Sequence, residues 1–249
     1  MVRQNSSPLK TILILPTYNE AENLPRMIDA VLAHLPKAQI LVVDDNSPDG
    51  TGALAEKISA EKPGMILVVH RKKKEGLGKA YMEGFQKALD EGADLILHMD
   101  CDFSHPPELL PRFVSALEQY DFVLGSRYIN GGGTQNWSLK RRLLSRFGNL
   151  YARTVLGLSV RDLTGGFKGF RSSVLRQLLK YPIDSQGYNF QIEITLRAIR
   201  SGFSYTEIPF IFPERRFGES KMSGEIIWEA FLKTFRLRKI LKEENAPPR

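Results

Sequence analysis

Five short apolar runs recur along the first half of the chain: 11-TILIL-15, 39-QILVVD-44, 65-MILVVH-70, 94-DLILHMD-100 and 121-DFVLGS-126. Each has the length and β-branched content of a strand. Their continuous rather than alternating apolar character is that of strands covered on both faces. The segments between them, at about 21–35, 51–61, 77–91 and 107–119, carry apolar residues at helical spacing. Apolar strands alternating with helices predict an α/β fold with a mostly parallel central sheet flanked by helices. In such sheets ligands bind beyond the carboxyl ends of the strands. The polar residues that follow each apolar run are therefore the ones to read for chemistry.

The first such strand end is 16-PTYNE-20, where Pro16 is expected to close the strand and Asn19 with Glu22 has the form of a helix-capping pair. The second, 44-DDNSPDG-50, combines good turn chemistry with two adjacent carboxylates. Successive strand residues face opposite ways, so one of Asp44 and Asp45 can face a ligand crevice and accept from a base or ribose. The third is 99-MDCDFSHPPE-108. Asp100 and Asp102 are spaced i,i+2, and two hard oxygen donors with open positions beside them suit Mg²⁺ or Mn²⁺ carrying substrate phosphates. His105, next to Pro106 and Pro107, reads as a turn residue rather than a ligand. The fourth, 125-GSRYINGGG-133, places Arg127 at a strand end, where it can hold a phosphate oxygen or pair with one of the acids. The stretch 71-RKKKEGLGKA-80 reads as a surface basic run, with Gly76 and Gly78 opening a helix and no Walker pattern.

Composition narrows the class. With 42% hydrophobic and 25% charged residues, the 249-residue chain is neither disordered nor a disulfide scaffold, and its one cysteine, Cys101, cannot form an internal bridge. Four histidines and one cysteine argue against a zinc cluster. No apolar run reaches the length of a membrane span, and the leader 1–9 lacks the apolar core of a signal peptide, so the expectation is a cytoplasmic protein. Positive charge is concentrated: residues 138–176 hold nine basic residues against one acid, and 215–242 hold eight against three. That concentration fits an anionic partner or a solvated basic face, and no aromatic-plus-basic motif supports nucleic acid.

Taken together, 15-LPTYNEAENL-24, 42-VVDDNSPDGT-51, 76-GLGKAY-81, 99-MDCDFSHPPE-108, 125-GSRY-128, 137-WSLKRRLLSR-146, 162-DLTGGFKGFR-171 and 217-FGESKMS-223 resemble the family-2, GT-A-fold glycosyltransferases, and among them the dolichol-phosphate (polyprenol-phosphate) mannose synthases. The resemblance implies a GT-A, Rossmann-like domain over 10–242 between a flexible leader 1–9 and tail 243–249. It implies that Pro16, Tyr18, Glu20, Val43 and Asp45 hold the guanosine of GDP-mannose. Met99, Asp100, Cys101, Asp102 and Ser104 would line the diphosphate, with Asp100, Asp102 and Ser104 at a divalent metal. Arg127, Arg215 and Lys221 would grip phosphates, and Arg141, beside Arg142, would face the lipid phosphate. Catalytic roles fall to Asp102, Arg127, Arg215 and Lys221. The central motif is DCD where many relatives have DAD, which introduces a thiol.

The implied reaction is inverting transfer of mannose from GDP-mannose to a polyprenyl (dolichyl-type) monophosphate. A phosphate monoester is mostly dianionic at neutral pH, so it needs no strong general base. A lipid acceptor implies peripheral contact with the cytoplasmic face of a membrane and leaves open a membrane-embedded partner subunit. Two amphipathic segments, 138–158 and 225–241, are the candidate interface helices, unless both pack their apolar faces on the main domain. The alternatives are a polyprenyl-phosphate glucosyltransferase using UDP-glucose and a non-catalytic nucleotide-sugar or lipid-surface binding module.

Overall fold

The computed structural model describes residues 9–183, 185, 187–213, 234, 235 and 237. Arg215, Lys221, most of 225–241 and the two expected flexible termini apart from Leu9 lie outside the described residues.

The chain runs β1 (Thr11–Thr17), α1 (Leu24–His34), β2 (Gln39–Asp44), α2 (Thr51–Glu61), β3 (Ile66–His70), α3 (Leu77–Asp90) and β4 (Leu95–His98). A 3₁₀ turn over Pro107–Leu109 leads into α4 (Leu110–Ala116), followed by β5 (Phe122–Ser126), β6 (Gly133–Thr134) and α5 (Leu139–Leu156). Then come β7 (Lys168–Arg171), α6 (Ser172–Leu178), α7 (Gly187–Arg200), β8 (Tyr205–Pro209) and β9 (Ile211–Phe212). Seven strands form one sheet in the order β3-β2-β1-β4-β7-β5-β8, and β6 pairs with β9 in a small ribbon.

The central strands carry apolar residues on both faces because helices cover both. Ile12 and Ile14 of β1 pack with Tyr81, Phe85 and Ala88 of α3, and with α6 and α7 beyond them. Leu13 and Leu15 face the opposite layer, against Met27 and Ile28 of α1, Ile58 of α2 and Phe113 of α4. A Cβ on Gly84 would lie 2.9 Å from Ile14 Cγ2, so only glycine lets α3 seat this closely on β1.

Parallel pairing joins β1 to β2 and β4, β2 to β3, and β5 to β8. Between β4 and β5 lies β7, antiparallel to both, with His98 and Leu124 in register with Lys168. This short KGFR strand carries too much charge to read as buried from pattern alone. Pro16 does not close β1, which continues through Thr17. Nor do Asn19 and Glu22 cap α1: the helix starts at Leu24, and Asn19 instead adopts a left-handed turn at φ 61°.

Candidate active site

The carboxyl ends of β1, β2 and β4 open on the same edge of the sheet, and their loops are tied together. Asp44 accepts from Thr17 Oγ1 at 3.0 Å and from Ser47 N and Oγ at 3.0 and 2.6 Å. Asn19 N donates to Ser47 Oγ, Glu20 N to Thr51 Oγ1, and Ala21 N to Asp49 Oδ2. Of the two adjacent acids, Asp44 thus serves the loop itself. Asp45 is bound to Arg71, which is 7% exposed and also reaches Glu83 and Glu75 at 3.1 and 3.3 Å. Burial raises the Asp45 pKa, and the Arg71 guanidinium only partly opposes it. Lys74 Nζ lies 3.5 Å from the centre of the Tyr18 ring. Tyr18, Asp45, Arg71 and Lys74 therefore form one corner of the site.

Arg71 corrects the reading of 71–80 as surface. Like Arg127, it follows an apolar strand directly, so the rule that singled out Arg127 would have singled it out too. Val43, Met99 and Cys101 have their side chains in the core, and any contact they make with a ligand falls to their backbone. Burial also pushes the Cys101 thiol well up, with Glu20, Asp102 and Asp100 adding to the shift. The thiol in the DCD motif is thus a packing group, protonated and shielded from reagents.

Beyond β4 the chain turns sharply. Asp100 N donates to His105 Nδ1 at 3.0 Å, Ser104 N donates to Asp102 Oδ1 at 3.0 Å, and Phe103 sits at φ 58°. A left-handed Phe is a strained position, held here by the bonds on either side of it. His105 is buried, stacked on Phe167 and edge-on to Phe210 and Phe212. It braces the turn from behind, in keeping with its reading as a turn residue. The Asp100 side chain remains 24% exposed. Under the turn lies Tyr81, whose hydroxyl pKa is pushed well up by burial and then by the charges of Asp100 and Asp102. Ser104 Oγ is buried and, among the described residues, has no hydrogen-bond partner. Among the described residues no group of three or more His, Cys, Asp or Glu side chains converges to hold a metal.

A second corner forms at the end of β5. Arg127 is clasped by the fully buried Asp162, and its guanidinium lies 5.9 Å from the Trp137 ring and 5.6 Å from Phe212. Arg141, in the first turn of α5, stacks on the same Trp137 at 4.0 Å. The structure thus groups Arg141, rather than Arg142, with Arg127. Ser138 Oγ caps α5, and Tyr128 and Ser145 share a 2.6 Å hydroxyl bond that ties the helix to the end of β5. Phe212 touches both His105 and Arg127, so the acidic turn and the arginine corner share one aromatic wall.

The outer face of α5 is apolar. Leu139, Leu143, Phe147 and Leu150 are 68, 58, 64 and 56% exposed, while Asn149, Ala152 and Leu156 face inward. Exposed Lys140 and Arg146 flank this stripe. Phe235, from the other candidate interface segment, is 49% exposed and lies against Tyr151. Among the described residues no helix is long and apolar enough to cross a membrane.

Comparison with known proteins agrees with this geometry. The chain is 46% identical over 225 residues to a polyprenol monophosphomannose synthase of Mycolicibacterium smegmatis, covering 90% of this chain and 85% of the relative. It is 44% identical over 228 residues to an undecaprenyl-phosphate mannosyltransferase of Micrococcus luteus, covering 92% and 93%. Among solved structures, the mannosyltransferase PcManGT from Pyrobaculum calidifontis, in complex with GDP-Man and Mn²⁺, superposes with a TM-score of 0.64 at 15% identity over 98% of this chain and 67% of the other. Glucosyl-3-phosphoglycerate synthase from Mycobacterium tuberculosis, in complex with Mg²⁺ and uridine-diphosphate, gives 0.65 at 18% identity over 92% and 79%. The fold is therefore the GT-A arrangement that the sequence motifs implied. Residues 12–179, from β1 through the acidic turn and the arginine corner to the end of α6, match glycosyl transferase family 2, and the chain belongs to that family of glycosyltransferases.

Proposed function

We propose that this glycosyltransferase moves mannose, with inversion, from GDP-mannose to a polyprenyl monophosphate, releasing GDP and a β-linked polyprenyl phosphate mannose. The carrying observation is the 46% identity, along 90% of the chain, to a protein named polyprenol monophosphomannose synthase. Residues 10–242 act as one transferase unit in this reading.

The two corners of the site divide the work. Pro16, Tyr18, Glu20, Val43 and Asp45 hold the guanosine, with Arg71 fixing the Asp45 carboxylate. Asp100, Asp102 and Ser104 fit a divalent ion, Mg²⁺ or Mn²⁺: two half-buried carboxylates, and a hydroxyl with no partner among the described residues, leave coordination positions for diphosphate oxygens. Bound there, such an ion would neutralise charge building on the departing diphosphate. Arg127 and Arg141 receive the acceptor phosphate between Trp137 and the turn, and Arg215 and Lys221 are assigned by sequence to phosphate groups of donor or acceptor. The attacking oxygen belongs to a dianion, so the protein's task is to bring two anions together rather than to remove a proton.

The acceptor's lipid chain calls for a membrane surface, and the outward stripe of α5 supports peripheral binding on the cytoplasmic face through that helix. A basic amphipathic helix lies in the interface plane, with its apolar side chains among the acyl chains and its cations at the headgroups.

The test is a donor screen with purified protein, a fixed polyprenyl phosphate and Mg²⁺ or Mn²⁺. GDP-mannose should yield an acid-labile mannolipid. Product from UDP-glucose alone would replace mannose with glucose, and no product from any sugar nucleotide would leave only a binding role.

A further inference from the structure

Helix α7, which packs on α3 and α6, carries Gln191, which is 2% exposed. Lys168 Nζ lies 2.8 Å from Gln191 O and 2.8 Å from Gln191 Oε1. Lys168 Nζ donates to both oxygens, so the amide oxygen faces it and the amide NH₂ is turned away. That nitrogen is buried and, among the described residues, has no hydrogen-bond partner. A carbon placed as a Cβ on Gly166 would sit 3.7 Å from Gln191 Nε2, 3.5 Å from Asp100 Oδ1 and 3.5 Å from His105 Cε1. A fixed donor and a carboxylate acceptor therefore face one gap, kept open because residue 166 has no side chain.

A hydroxyl suits that gap better than a phosphate. It can accept from the amide and donate to the carboxylate in the same pose, whereas a phosphate oxygen only accepts and would meet the Asp100 charge. We propose that Gln191 is a sugar-binding residue: its side-chain NH₂ donates to a hydroxyl of the hexose carried by the nucleotide, in the gap over Gly166 beside Asp100. This rests on reading the site as one for sugar-nucleotide transfer and assigns the face that recognises the sugar.

Two variants test it. Gln191→Glu keeps an acceptor for Lys168 and removes the donor. Gly166→Ala fills the gap with a methyl group at ordinary contact distances, so it should leave the fold intact. Calorimetric binding of GDP and of GDP-mannose, together with kcat/KM, is measured for each. Both variants should lose at least about tenfold in affinity and kcat/KM for the sugar nucleotide, with GDP affinity within about threefold of wild type. In a series of monodeoxy-mannose donors, one analogue should bind wild type and Gln191→Glu equally. The inference is overturned if folded Gln191→Glu binds the donor as wild type does, if GDP affinity falls in step with donor affinity, or if no deoxy donor removes the difference. Should Gln191→Glu fail to fold, Gly166→Ala decides by the same comparison of GDP with sugar nucleotide. Wild-type preference for another sugar nucleotide would remove the mannose reading alone, and the same series would then be run on that donor.

Discussion

Asp162 holds Arg127 from one side, accepting from its Nε at 2.7 Å and from one Nη at 2.8 Å. The same carboxylate accepts from Arg127 N at 3.0 Å, and Thr164 Oγ1 takes a further bond from that Nη at 2.8 Å. The guanidinium plane is set by a residue 35 positions later in the chain. An arginine proposed to receive phosphate is thereby fixed in place before any ligand arrives.

Asp162→Asn should reveal this. Removing one partner of a buried ion pair costs about 3–5 kcal/mol, because the other charge remains buried. Urea unfolding should register that loss, and a transition unchanged from wild type would mean the pair does not organise the corner. Burial raises the Asp162 pKa, but Arg127, through charge and hydrogen bonds, more than offsets it, and the carboxyl ends below its ordinary value. A lowered carboxyl contributes fully above the unfolded value of about 4 and loses that contribution as pH falls through the folded one. Wild type should therefore lose stability on acidification below about pH 4 more steeply than Asp162→Asn.

Lys168 predicts the opposite slope. Burial lowers its pKa from 10.5 to about 7, with Asp162 only partly resisting. Between those two values the unfolded chain holds a proton that the folded chain does not, so stability rises with pH across the window. The rise is at most about 1.4 kcal/mol per pH unit. Thermal melts of wild type and Lys168→Met from pH 7 to 10 should show the rise only in wild type. Parallel curves would place the proton elsewhere.

Asp102→Ala should abolish turnover, by at least about 10²-fold, while the melting temperature stays near that of wild type. The turn's other bond, from Asp100 N to His105, remains in the variant, so the fold should survive. Retained turnover would remove Asp102 from the metal and diphosphate.

For the membrane, Leu143→Glu with Phe147→Glu converts the centre of the α5 stripe to charge without touching the core. Flotation with vesicles containing anionic lipid should fall about tenfold, with GDP binding unchanged. Equal flotation would mean that another surface carries the contact.

The strands β1 to β5 and helices α1 to α3 were legible in the pattern of residues, because burial on both faces demands continuous apolar runs whatever their neighbours. The acidic pair beyond β4 and the arginine beyond β5 followed from the rule that chemistry collects at strand ends. The partners of these residues were not legible. Arg71 looked like the start of a surface basic run because Asp45, which buries it, comes from a different strand end. Lys168 stood in a recognised motif with no sign of burial, since a four-residue strand with two cations has no apolar signature, and Asp162 lies in the loop before that strand, where no periodicity marks burial. Gln191 gave no signal at all; its meaning depends on Lys168 turning its amide and on Gly166 leaving the space.

Composition and spacing alone thus determined the layered α/β architecture, the acidic turn and the amphipathic character of 138–158, since each is a local consequence of burial or periodicity. Only the tertiary structure decided which charges are paired, which face of α5 meets solvent and which buried donors are left without an acceptor among the described residues. Those are properties of contacts between segments far apart in the chain, and a linear pattern does not encode which distant group will stand beside a given side chain.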